Sequence, residues 1–214
     1  MGSDLKKTVV LDFFGVPGSG KTTKSHEIAE SYRRKGKDVV EPSYNLDHNC
    51  SSMVRRIKKL WMMMVIPKWK KEAIKELVRE NEYDSANKAL NHVVNIASKI
   101  YAIEKHNGKV DYLIFDEGVA QAAISLSVNS TIPANENLER VLSLISSLPE
   151  IHLVDTKLNI GEALRRVEKR NSGDTRIEAM KTEQEKEAMM RRYEEASSQI
   201  EEMQPVSGIM MEVY

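Results

Sequence analysis

Short apolar runs alternate with longer stretches of helical periodicity along the chain, the pattern of an open parallel α/β sheet. Five strands are predicted, at Thr8–Phe14, Asp38–Glu41, Asp111–Asp116, Ile151–Asp155 and Gly208–Val213. Ser51–Asn107 carries three helical segments broken at Pro67 and near Asp84, and the third should stop at Asn107-Gly108, where a C-cap glycine belongs. This stretch reads as a helical insertion between strands. Asn129–Asn137, rich in Asn, Ser and Pro, reads as a mobile surface loop.

Directly after the first strand, Gly15-Val16-Pro17-Gly18-Ser19-Gly20-Lys21-Thr22-Thr23 fits G-x-x-x-x-G-K-[ST], the P-loop. Its glycines allow backbone N–H groups to close around a phosphate, Lys21 reaches the outer phosphates, and the Thr22 hydroxyl is placed to ligand Mg²⁺. The helix opening at Thr22 adds its partial positive charge. Gly15, Pro17, Gly18, Ser19, Gly20, Lys21, Thr22 and Thr23 are therefore the expected nucleotide-binding set.

Composition narrows the class. A chain of 214 residues, 41% hydrophobic, supports one domain with insertions. Lys plus Arg and Asp plus Glu balance at 32 each, so nothing global points to nucleic acid or an acidic membrane as main partner, and any attraction to phosphate must be local. Cys50 is the single cysteine, which excludes an internal disulfide framework; no stretch resembles a bilayer span or a signal peptide. A cytoplasmic setting is expected. No histidine spacing suggests zinc.

Other stations along the chain carry chemistry. Val110–Asp116 is a buried-strand pattern ending in a carboxylate, as a Walker B Asp that organises Mg²⁺ with Thr22 requires; Glu117 follows and can orient or deprotonate an acceptor. Glu41-Pro42 ends the second strand, where open α/β sheets place ligand-binding residues, although a glutamate there can equally mark only a strand end. Arg166 and Arg170 share a helix face and Arg176 returns after a Gly-containing break, so three guanidiniums can converge on a γ-phosphoryl group; the competing reading is a solvated helix paired through Glu162 and Arg166. Arg55, Arg56, Trp61, Trp69, Lys99 and Tyr101 are candidates to line an acceptor pocket, and most read as scaffold. Gln121 either contacts the acceptor or is solvated.

With these residues in place, the chain resembles the thymidylate kinase-like branch of P-loop kinases, the nucleoside and nucleotide monophosphate kinases. The likeness runs through the P-loop, Glu41-Pro42, Phe115-Asp116-Glu117, Pro149–Asp155 leading into Glu162–Arg166, Asp174–Glu178, Tyr193 and the closing strand. It implies a three-layer α/β sandwich with a five-stranded parallel sheet of order 2-3-1-4-5 and a helical lid. Residues 1–214 would form one kinase domain, with the acceptor-side insertion at about 44–108 and the lid at about 165–178. It also implies ATP and Mg²⁺, a small-molecule phosphoryl acceptor, and neither nucleic acid nor membrane as partner. Met62–Ile66 reads as core or a soft interface; related kinases often dimerise through helices flanking the acceptor site, and this run suits such a homodimer.

The chain departs from the thymidylate kinase pattern at two places. Pro17 stands where an Asp is usual, and Asp116-Glu117-Gly118 replaces an Asp-Arg-Tyr-type triplet. Glu117 inverts the charge expected beside an acceptor phosphate and favours hydroxyls there. Lys99 aligns loosely with an acceptor-contacting Asp-Arg pair. Glu41-Pro42 also resembles the strand-two end of deoxynucleoside kinases, where that glutamate deprotonates the sugar hydroxyl. A sugar or alcohol kinase, and a nucleotide-dependent switch or assembly ATPase, remain alternatives.

Overall fold

The computed structural model describes residues 7–81, 85–170, 177, 180–203 and 209–213, with backbone alone for 47–49, 170 and 209–213. The strands are β1 (Val9–Phe14), β2 (Val39–Val40), β3 (Tyr112–Phe115), β4 (Glu150–Asp155) and β5 (Ile209–Val213). The four with described side chains stand in the order β2-β3-β1-β4, all parallel, and the β5 backbone pairs along β4. The expected parallel α/β sheet is thus present.

Strand alternation divides the core. Leu11 and Phe13 of β1 point to one face with Ile114 and Val154, and pack on Ala29 of α1 (Lys21–Arg34). Val10 and Phe14 point to the other, larger core. That core takes in α4 (Lys68–Glu80), α5 (Ala86–His106), α6 (Val119–Ser127), α7 (Ala134–Ser143), α8 (Ile160–Arg170) and α9 (Glu183–Glu201). Asp12 shares the parity of Val10 and Phe14, so its carboxylate enters this larger core.

Two helices lie between β2 and α4: α2 (Pro42–Asn49) and α3 (Ser52–Val65). The expected breaks in the helical stretch fall at Pro67 and ahead of Ser85, whose side chain caps α5 by accepting from Lys88 N–H. α2 was not foreseen. Glu41-Pro42 looks like a strand ending, but a proline at the first helical position loses no hydrogen bond, and here it starts a helix.

The expected loop at Asn129–Asn137 is shortened: 129–132 are turn and bend, and 134–137 belong to a helix. Pro133 is the N-cap of α7, and Asn137 is fully buried, exchanging amide hydrogen bonds with Asn81 at 3.0 Å each way and donating to Ser127 Oγ at 2.8 Å. Asn137 is thus a buried polar tie between α4, α6 and α7, which sequence proximity alone does not display.

Lys70 is the most buried cation of the helical region. Its ammonium donates to Glu104 of α5 and to Ser146 Oγ at 2.8 Å, while Ser146 N–H donates to Glu104 at 2.8 Å, fixing α5 against the segment that enters β4. Glu104→Ala leaves this ammonium largely unpaired and should cost about 3 kcal/mol. Lys70→Met should cost less, because Glu104 is 25% exposed and can be hydrated. Urea unfolding of the two variants measures the difference.

Candidate active site

The P-loop joins the end of β1 to the start of α1. Gly18 has φ +85° and lies so near α8 that a Cβ would stand 2.5 Å from the Ala163 carbonyl oxygen, so glycine is required both by backbone conformation and by space. The loop is held from outside as well. Gly15 N–H donates to Gln121 Oε1 at 3.1 Å, and Ser19 Oγ lies 2.7 Å from Thr156 Oγ1, itself bonded to the Phe14 carbonyl at 3.0 Å. Gln121 is therefore a buried anchor of the loop, neither solvated nor turned to an acceptor.

Lys21 is buried, with its ammonium donating to the Gly15 and Val16 carbonyls at 3.0 Å each. One residue on, Thr22 Oγ1 donates to Asp116 Oδ2 at 3.0 Å. Asp116 Oδ1 is buried and accepts no hydrogen bond among the described residues. A hydroxyl against a carboxylate with one unsatisfied buried oxygen is a donor set fitted to a hard, oxygen-seeking cation, and Thr22 and Asp116 would hold Mg²⁺ here. Thr23, the next residue, is exposed, and Pro17 is half-buried on the loop.

Arg166 overhangs this loop, its Nη1 lying 3.8 Å from where a Cβ on Gly20 would stand. The competing reading also holds, since Arg166 Nε donates to Glu162 at 2.8 Å and, with Arg165, keeps the Glu162 carboxyl at about 2. Arg170 lies in α8 with its backbone alone described, and Arg176 lies outside the described residues. Glu117 is exposed beside Asp116. Glu41 is 2% exposed and turned back on α1, 2.6 Å from Arg33 Nη1 and 3.1 Å from His26 Nδ1. The structure thus brings Lys21, Thr22, Asp116 and Arg166 together and commits Glu41 to an ion pair. Arg55 and Arg56 lie in α3 with Trp61, which meets the Tyr101 ring edge-on at 5.7 Å; Trp69 is exposed on α4.

Asp12, which reads only as part of an apolar run, organises the other side of the site. Its Oδ2 accepts the Ala120 N–H at 3.0 Å at the N-terminus of α6, and its Oδ1 lies where a Cβ on Gly118 would be 2.2 Å away. Lys99 of α5, buried, donates to the Glu117 carbonyl and supplies positive charge toward Asp12. Burial pushes the Asp12 carboxyl up to about 6, against the opposing pull of the Ala120 N–H and of Lys99. Asp155, at the end of β4, is pushed to about 7 by burial and by its hydrogen bond with Glu201, which Lys157 pairs at 2.8 Å. These two acids, with Gly15, Val16, Lys157 and Ser197, border a cavity of about 450 Å³ beside the P-loop. Neither Asp12 nor Glu201 is marked by any local pattern, whereas Asp155, like Asp116, ends a predicted strand.

No family model matches the chain, and no curated protein matches it. Among solved structures it is similar to a deoxyadenosine kinase from M. mycoides determined with the products dCMP and a flexible dCDP bound. That match has a TM-score of 0.50 and 15% identity, and covers 95% of this chain and 88% of that one. A crystal structure of APE1195 matches with a TM-score of 0.40 and 14% identity over 100% of this chain and 88% of that one. The first likeness is one of fold: this chain shares the fold of that deoxyadenosine kinase, a parallel α/β sheet.

Asp12 holds its proton to about pH 6 when folded but to only about 3.8 as a free side chain. Its contribution to stability is full below the unfolded value and is lost as pH rises through about 6, a difference of about 3 kcal/mol. Asp12→Asn should remove this slope between pH 4 and 6 in urea midpoints compared with the parent chain. Gly118→Ala should destabilise by about 3 kcal/mol at any pH, read from the same unfolding curves, because its Cβ overlaps the Asp12 carboxylate.

Proposed function

We propose that this protein is an ATP- and Mg²⁺-dependent phosphotransferase that passes the γ-phosphoryl group to a small acceptor, a nucleoside or nucleoside monophosphate being the leading class. The observation that carries the reading is the Thr22–Asp116 contact beside the buried Lys21, with Arg166 above the same loop. The fold shared with a deoxyadenosine kinase supports it. In this reading an acceptor oxygen attacks the γ-phosphorus in line, the bridging bond to the β-phosphate breaks, and ADP leaves. Gly15 to Thr23 cradle the phosphates, and Lys21 and Arg166, with Arg170 and Arg176 from the lid, neutralise charge on the transferring oxygens. Bound Mg²⁺ would neutralise the outer phosphates, with Thr22 and Asp116 as its protein ligands.

Glu117 is the carboxylate assigned to the acceptor. It is exposed next to Asp116, whereas Glu41 is engaged by Arg33 and His26. Two adjacent carboxylates repel a phosphate and suit a hydroxyl, which Glu117 can orient and deprotonate.

The test is acceptor-dependent ADP release from ATP and Mg²⁺ across nucleosides, nucleoside monophosphates, sugars and amino alcohols. Lys21→Ala and Asp116→Asn should each lower turnover at least about a hundredfold with the fold intact by circular dichroism. ATP binding without turnover on any acceptor would overturn the transferase reading in favour of a nucleotide-dependent switch. Glu117→Gln should lower kcat about a hundredfold while leaving the melting temperature in place. Glu41→Gln should do the reverse, lowering stability by weakening the buried ion pair with Arg33.

A further inference from the structure

α3 is folded with its apolar side outward. None of its residues is buried, and Met53, Ile57, Leu60, Trp61 and Met64 are 41% to 72% exposed. At 3.6 residues per turn these five fall in one strip roughly 17 Å long, extended on one flank by Val54 and Val65. The half-buried positions are Arg55, Lys59, Met62 and Met63. They face α5, where Lys59 donates to Asn95 Oδ1 at 3.4 Å. A helix that turned its apolar strip to the core would bury it; this one displays it, and a strip of this size on a surface marks a contact.

Charge indicates what makes the contact. Arg56 and Lys58 border the strip on its two sides, both exposed, and α3 contains four cations and no acid. The next acid is Glu72, beyond Lys68, Trp69 and Lys71. The chain as a whole is neutral, so this is a local concentration of positive charge around exposed Met, Ile, Leu and Trp. A second copy docked through the same strip would set Arg56 and Lys58 against their own counterparts, with no carboxylate on either helix to pair them. An anionic lipid surface satisfies both halves of the pattern: acyl chains receive the apolar strip, and headgroup phosphates and carboxylates receive the cations at its edges.

We infer that α3 is an interfacial helix that seats this protein peripherally on anionic lipid bilayers. No described helix is long and apolar enough to cross a membrane, so attachment is along the surface. The chain's two tryptophans, Trp61 and Trp69, are both exposed in this region, which makes their fluorescence a reporter of the contact.

The full chain is mixed with vesicles of phosphatidylcholine alone and of phosphatidylcholine with 30% phosphatidylserine, following tryptophan emission and co-sedimentation. The expected result is a blue shift and sedimentation with the anionic vesicles, at least tenfold weaker on neutral ones and weakened by 0.5 M salt. Ile57→Glu/Met64→Glu should abolish both signals, and Arg56→Glu/Lys58→Glu should weaken binding at least tenfold. All four positions are exposed, and circular dichroism checks that the variants fold. Absence of binding to anionic vesicles, equal binding to neutral ones, or binding unchanged in both variants would overturn the proposal. So would a dimer by sedimentation velocity that Ile57→Glu dissociates in a chain that never binds vesicles.

Discussion

The carboxylate of Asp12 is the constraint on which the site turns. It sits in the middle of the central strand, in a core otherwise built from Val10, Phe14, Leu113 and Phe115, and it accepts the Ala120 N–H at the start of α6. The crossing from β3 to α6 is thereby tied to β1, and that crossing contains Asp116 and Glu117. Lys99 closes the arrangement from α5 through the Glu117 carbonyl. A buried polar group costs free energy unless it is hydrogen-bonded, so in this node the Ala120 N–H on Oδ2 favours this placement of α6, while Oδ1 accepts no hydrogen bond among the described residues. Gly118 is the space that the node requires.

The P-loop is shaped in the same manner, from outside itself. Its own residues close on Lys21 through the Gly15 and Val16 carbonyls, but its two ends are set by Gln121 of α6 and by Thr156 after β4. The loop therefore shares α6 with the Asp116 carboxylate, since one helix supplies Gln121 to the loop and receives Asp12 at its N-terminus. Loop and carboxylate thus share one support, and Thr22 meets Asp116 at 3.0 Å.

What could be read from the sequence was what is local or periodic. β1, β3 and β4 announce themselves because strands buried on both faces are continuous apolar runs, and the P-loop does because its chemistry is a fixed spacing of backbone and side chain. Asp116 was legible as a carboxylate ending a strand beside that loop. Asp12 was not, because its partners lie more than a hundred residues away, and a carboxylate in an apolar run has no meaning until α6 is placed against it. Glu41 was legible in part: its position at a strand end could be read, but its engagement with Arg33 could not. Pro42 and Pro133 were misleading for one reason, that proline stops a helix and starts one, and composition does not distinguish the two. Arg170 and Arg176 rest on sequence alone, one known by its backbone and the other outside the described residues.

α3 shows how a whole-chain average conceals a local property. Thirty-two cations against thirty-two acids exclude a strong net field, and the inference drawn from that balance, that attraction to anions must be local, applies to more than the P-loop. At 3.6 residues per turn Met53, Ile57, Leu60, Trp61 and Met64 fall on one side of α3, and in most helices such a side packs into the core. The core on this flank is already filled by Ile74, Leu77, Ile96 and Ile100 of α4 and α5, all at most 2% exposed. The apolar side of α3 thus faces away from the protein because the helices beneath it have completed their own packing, and periodicity identifies a face without identifying its occupant.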